Sequence, residues 1–169
     1  MKKKILYFVW MIPLLFLGPV FGEDIEEFRG IKWGANKSEI SGLRCRQTKK
    51  NEHTCERREE LKVGDIKVSA IEYYFFKNQF YGAAIGFTGH SELGLFKDAL
   101  SKKYGRSRRE NEFLERYSWR FKNISVILNY SEVTHEGIIA YFFFPIKYQR
   151  DIEKEKEKEE RGRKAKDDL

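Results

Sequence analysis

Residues 113–145 read FLERYSWRFKNISVILNYSEVTHEGIIAYFFFP, and this stretch decides the fold. Side chains alternate between the two faces of a strand. Phe113, Tyr117, Trp119 and Phe121 fall on one face, and Leu114, Arg116, Ser118 and Arg120 on the other, which predicts a strand over 113–121. Lys122 and Asn123 turn the chain, and Ile124, Val126, Leu128 and Tyr130 resume the alternation. The run from Ile138 to Phe144 is apolar on both faces, the pattern of a central strand, and Pro145 ends it. Three strands joined by short turns imply an antiparallel sheet.

Upstream, Leu93, Phe96, Leu100 and Tyr104 recur at helical spacing with Ala99 beside them. They predict a helix over 91–104 that lays this stripe on the sheet and stops at Gly105. Before it, Gly64 and Asp65 open a run over 66–76 whose apolar phase shifts after Ala70, which calls for a bulge there or for cover on both faces. Lys77 and Asn78 turn it into a second strand over 79–87, interrupted by Gly82 and Gly86. Glycines inside a strand mark a bulge or a close neighbour, and the following helix is the expected neighbour.

Nearer the N-terminus, residues 28–34 alternate as one half-buried strand ending at Gly34. Asn36 followed by Glu39 resembles a capping box, predicting a short helix over 37–41 stopped by Gly42. Strands over 43–47 and 54–58 then flank a polar excursion as a hairpin. Hairpins in series with few helices predict a single α+β domain: a mainly antiparallel sheet, one main packed helix and one short one. The two halves share a loose plan, a helix followed by strands, with no residue-level repeat.

The chain begins with Lys2, Lys3 and Lys4, then an uncharged apolar run to Val20 and a Val20-Phe21-Gly22 junction before acidic Glu23 and Asp24. This is the grammar of a signal peptide over 1–22, cleaved after Gly22, with a retained membrane anchor as the competing reading. The first cysteine after the apolar run is Cys45, too distant for N-terminal lipid attachment. Cleavage takes three lysines away and lowers the formal charge from +7 to +4. The expected organisation is a compact α+β domain over 23–146 and a charged tail over 147–169. That tail holds nine basic and eight acidic residues, and it predicts a solvated helical or disordered segment with favourable pairs such as Glu160–Lys164.

Export makes Cys45 and Cys55, the two cysteines of the chain, a predicted disulfide. Zinc is the competing use, through Cys45, His53 and Cys55 with His90 or His135 as a fourth ligand. The spacing lacks a Cys-x-x-Cys pair, so no metal is expected. His90 and His135 sit beside turn residues and read as solvated.

The Phe28–Gly34 opening, the Tyr117-Ser118-Trp119 strand and the charged tail resemble a group of small exported proteins of environmental Gram-negative bacteria, which share a signal peptide and an Ile-x-Trp-Gly start. The resemblance covers most of the chain after residue 22. It implies a periplasmic or secreted location and carries no catalytic residue onto this sequence. Lipoproteins of outer-membrane assembly and β-lactamase-inhibitor-like folds are analogous in layout only.

Chemistry is sparsely signalled. There is no Gly-x-Ser-x-Gly, no His-Glu-x-x-His, no phosphate-binding glycine loop and no dinucleotide fingerprint, and no pair of carboxylates has an apolar setting. No enzyme activity and no cofactor is expected, with an undisclosed hydrolase as the remote alternative. Trp33 and Trp119 are candidate ligand-stacking platforms, though alternating aromatics are usually core. Lys102, Lys103, Arg106, Arg108 and Arg109 form a candidate anion-binding cluster, extended by Arg44, Arg46, Lys49, Lys50, Arg57 and Arg58. Interleaved acidic residues and the modest processed charge argue against nucleic acid. The expectation is an exported binding module of the bacterial envelope, with no stable transmembrane span after processing. Its partner is an envelope protein or an anionic envelope component, and an inhibitor or anion-binding protein is the alternative.

Overall fold

The computed structural model describes residues 24–109 and 111–167, so the predicted signal peptide over 1–22 lies outside the described residues. The apolar alternations assemble into one eight-stranded antiparallel sheet with two α-helices, an α+β domain. Its strands are β3 (Leu43–Lys49), β4 (Glu52–Arg57), β7 (Ala70–Phe76), β8 (Gln79–Thr88), β9 (Arg108–Arg109), β10 (Glu115–Arg120), β11 (Ile124–Ser131) and β12 (Glu136–Phe143). Across the sheet they run β3-β4-β7-β8-β12-β11-β10-β9. Each half is therefore a meander that starts at an outer edge, and the halves join through their last strands, β8 and β12. A helical turn at Lys37–Glu39 precedes the first meander and helix α1 (His90–Tyr104) precedes the second, so the loose plan of the halves is repeated in the order of elements.

The front face carries the main core. Tyr73, Phe75, Phe80, Phe87, Ile124, Val126, Leu128 and Ile139 are fully buried there. Helix α1 lays Leu93, Phe96 and Leu100 against this core, with the Phe96 ring centroid 4.9 Å from that of Phe87 on β8. The first half is covered by the N-terminal segment, where Phe28 meets Tyr73 at 5.7 Å and Tyr141 at 5.0 Å.

Several local expectations change. Residues 28–34 form a tight hairpin, β1 (Glu27–Phe28) and β2 (Ile31–Lys32), around Arg29 and Gly30 at φ 51° and 79°. Two positive φ values build the turn that matches strand twist, and Phe28 and Ile31 both reach the core. The short helix is one 3-10 turn over Lys37–Glu39, with the Asn36 carboxamide oxygen accepting from the Ser38 N–H at 3.0 Å. The run over 66–76 breaks at Val68 and Ser69: β6 (Ile66–Lys67) turns back on β5 (Lys62–Val63), and β7 begins at Ala70. The bulge lies opposite the junction of Tyr74 and Phe75, where Tyr81 is the extra residue of β8.

The neighbours of the two strand glycines are also different from those expected. A Cβ at Gly82 would lie 3.1 Å from the Tyr141 carbonyl oxygen and 3.2 Å from the rings of Phe142 and Tyr74, and one at Gly86 would meet Ser69 Oγ at 2.9 Å. Strands β7 and β12 crowd Gly82, and the Ser69 side chain just ahead of β7 crowds Gly86; neither neighbour is α1. The strand over 113–121 is shorter than its alternation, because an Asn111 turn precedes it and leaves Phe113 86% exposed.

The back face is covered only in part. Helix α2 (Phe144–Asp167) starts where β12 ends and buries Ile146 with Phe76 and Tyr81. Arg150 and Lys154 then reach Glu52 at 3.2 and 3.1 Å, and Lys77 pairs with Glu153 at 2.5 Å. The tail thus begins as a docked helix, while residues 155–166 are exposed. Among the described residues no helix is long and apolar enough to cross a membrane.

Candidate functional site

Strand β3 is built unlike the rest of the sheet. Its residues are Leu43, Arg44, Cys45, Arg46, Gln47, Thr48 and Lys49, and all but the half-buried Leu43 are exposed. Ordering each backbone residue costs about 1–2 kcal/mol, and burial offsets almost none of it here. Besides an exposed Arg46–Glu72 ion pair at 3.2 Å, two interactions hold the strand. One is its ladder with β4, from Leu43 opposite Arg57 to Lys49 opposite Glu52. The other is the disulfide between directly opposed Cys45 and Cys55, whose Cα atoms lie 4.0 Å apart. Cys55 is buried beneath the first half of the core, so the bond ties an exposed edge to the interior.

Both predicted cysteines are therefore joined, and neither thiol remains for the zinc arrangement with His53. His53 Nδ1 is buried without a hydrogen-bond partner among the described residues. Burial, reinforced by the charge of Lys37, holds its pKa below the usual histidine value. No grouping of metal-ligating side chains occurs among the described residues.

The basic residues singled out from the sequence do not converge. Lys102 and Lys103 lie in the last turn of α1, Arg106 in the loop after it, and Arg108 and Arg109 on β9. Arg109 binds the Glu115 carboxylate at 2.7 Å and lies over the Tyr117 ring, and Lys103 lies over Tyr104. Arg44, Arg46 and Lys49 belong to the opposite edge of the sheet, with six strands between. At about 4.8 Å per strand the two clusters stand roughly 30 Å apart, so they do not extend one another. Arg57 is directed elsewhere, to Glu59 at 3.0 Å.

That Glu59 network is a feature the sequence did not announce. Its carboxylate accepts from Arg29 at 2.9 Å and Arg57 at 3.0 Å, and from the Tyr73 hydroxyl. Burial pulls its pKa up, but the bonds from Tyr73 and Arg57 and the charges of Arg29 and Arg57 outweigh it and hold the group below the usual carboxylate range. Burial and the bond to Glu59 push Tyr73 far above the usual phenol value. The network closes the β1–β2 hairpin onto β4. Glu52 plays the matching part on the back, joining α2 to the sheet beside Tyr81, whose hydroxyl burial pushes up to about 12.

Trp33 and Trp119 are packing residues. Trp33 stacks on Phe80 at 4.8 Å with a 9° interplanar angle and donates to the Ile25 carbonyl at 2.9 Å. Trp119 is 3% exposed and donates to the Gly105 carbonyl at 2.8 Å, pinning the exit of α1. His90 and His135 lie at the turn end of the second half, His90 3.6 Å from Glu132 and His135 3.3 Å from the Tyr130 hydroxyl. A shallow depression of about 210 Å³ adjoins the disulfide, lined by Arg44, Cys45, Arg46, Thr54 and Glu56.

The chain matches no protein-family model, no curated protein and no solved structure. Geometry alone therefore nominates the candidate site: the β3 edge, with its disulfide, its arginines and the shallow depression beside them.

Proposed function

We propose that this chain is an exported, non-catalytic binding module of the bacterial envelope whose partner is an envelope protein. The observation that carries the reading is the disulfide-stapled open edge β3, a seven-residue strand that contributes almost nothing to the core. A covalent staple on such a strand suits an oxidising compartment and maintains a surface at which a partner docks. The lysine-led apolar start, the resemblance to small exported Gram-negative proteins and the charged overhang of α2 agree with a periplasmic or secreted spacer-and-surface design. The anion-binding alternative draws on Lys102, Lys103, Arg106, Arg108 and Arg109, but Arg109 is committed to Glu115. The inhibitor and hydrolase alternatives have no comparable feature in their favour, since the half-buried Glu59 and the buried Glu52 tie elements together.

Fractionation and crosslinking in the native host test this reading. The expected result is a chain beginning at Glu23 in the envelope fraction, without free thiols, crosslinked to a defined protein. Unprocessed chain in the cytoplasm with two titratable thiols overturns it.

A further inference from the structure

We propose, resting on the binding-module reading, that the outer side of β3 receives an extended acidic segment of the partner protein as an added antiparallel strand. In an antiparallel ladder, directly opposed residues alternate between wide hydrogen-bonded pairs and narrow pairs that exchange no backbone bonds. The 4.0 Å Cα separation of Cys45 and Cys55 marks a narrow pair. The backbone groups of Cys45, and by alternation those of Leu43 and Gln47, therefore point away from β4, while those of Arg44 and Arg46 point toward it. Among the described residues β3 ends the sheet, so these outward N–H and C=O groups form a ready template. Backbone bonding of this kind supplies affinity, and side chains on alternate positions supply the choice of partner.

Arg44 and Arg46 stand on the back face, where Arg46 meets Glu72 at 3.2 Å with its own side chain 69% exposed. Arg44 and Lys49 make no ion pair among the described residues. A strand laid beside β3 brings its side chains within about 4.5–5.5 Å of their opposite numbers. Carboxylates at positions i and i+2 of that strand then face Arg44 and Arg46. A second copy is disfavoured as the occupant, because β3 against β3 opposes basic residues to basic residues, which destabilises a strand pair. A partner with alternating acidic residues meets the charge and the geometry together.

The test uses the oxidised, isotope-labelled chain from residue 23 and the peptide Thr-Glu-Thr-Glu-Thr-Glu-Thr, with a lysine-for-glutamate peptide and inorganic polyphosphate as controls. The acidic peptide is expected to shift the amide resonances of Leu43, Cys45 and Gln47 and to slow their hydrogen exchange. The Arg44→Glu/Arg46→Glu double variant weakens that binding about tenfold and transfers preference to the lysine peptide, with the melting temperature little changed. The proposal is overturned if no peptide binds, if shifts fall elsewhere, or if polyphosphate binds as well without slowing those amides, which would describe an anion site. Envelope pull-downs separate the two levels. A partner captured equally by the wild type and the double variant removes the edge proposal and leaves the module, whereas no partner captured by either removes the module.

Discussion

The first strands of the two meanders, β3 and β9, occupy equivalent places at opposite edges of one sheet, yet they are secured by opposite means. Strand β9 is two residues long, and its surroundings are core: Tyr117 opposite Arg109 is buried, and Trp119 ties β10 to the chain leaving α1. Brevity blunts that edge. Strand β3 is seven residues long and, like β9, has no buried residue of its own, so a covalent bond ties it to the interior where the Arg109–Glu115 ion pair at 2.7 Å clasps β9 to β10. On the binding-module proposal the long, stapled edge is the docking edge, and the short one is closed.

The comparison breaks most visibly at Trp119. Truncating a large buried aromatic to alanine costs about 3–5 kcal/mol. Trp119→Ala is expected to fall in that range by denaturant unfolding and to speed hydrogen exchange at β9 and the end of α1 while β3 stays protected. Next comes the staple. The disulfide closes a loop of sequence separation 10, and its loss, through Cys45→Ala with Cys55→Ala, is expected to cost about 2–3 kcal/mol. Exchange at β3 then approaches the unstructured rate, with β9 unaffected; equal loosening of both edges would show that β3 is held by its ladder.

Acid sharpens the contrast further, because Glu59 ties β4, the inner partner of β3, to the β1–β2 hairpin through Arg57 and Arg29. Its folded pKa is depressed, so the unfolded chain takes up a proton first. The stabilisation is present above the unfolded value of about 4.5 and is lost as pH falls through the lower folded value. The β1–β2 hairpin and β4 are expected to open first on acidification, and Glu59→Gln to flatten that limb of the stability curve. The smallest effect belongs to the hairpin tip beside β9: Phe113→Ser is expected to change stability by no more than about 0.5 kcal/mol, since the ring is 86% exposed.

Much of this fold is legible because alternation is a local property. Strands β8, β11 and β12, the stripe of α1 and the pairing of Cys45 with Cys55 follow from residue type and spacing. The errors arise where a local pattern fits two geometries. Arg29 carries no mark of its positive φ, so the β1–β2 hairpin resembles a strand. Phe113 continues the alternation of β10 but stands beyond the end of its pairing partner, since Glu115 opposite Tyr130 closes the ladder. The glycines of β8 announce a close neighbour without naming it, and that neighbour is the flanking strands at Gly82 and Ser69 at Gly86.

The candidate site divides in the same way. Composition and spacing determined that the chain carries an antiparallel α+β domain, a cysteine pair and two basic clusters, since burial patterns and cysteine chemistry depend on the residues themselves. Tertiary structure alone decided that the clusters lie at opposite edges, that Arg57 and Arg109 are paired with carboxylates, and that Arg44 and Arg46 lie on an edge strand. Strand order is set by which distant apolar faces bury one another, and ion pairs follow wherever that burial brings the charges.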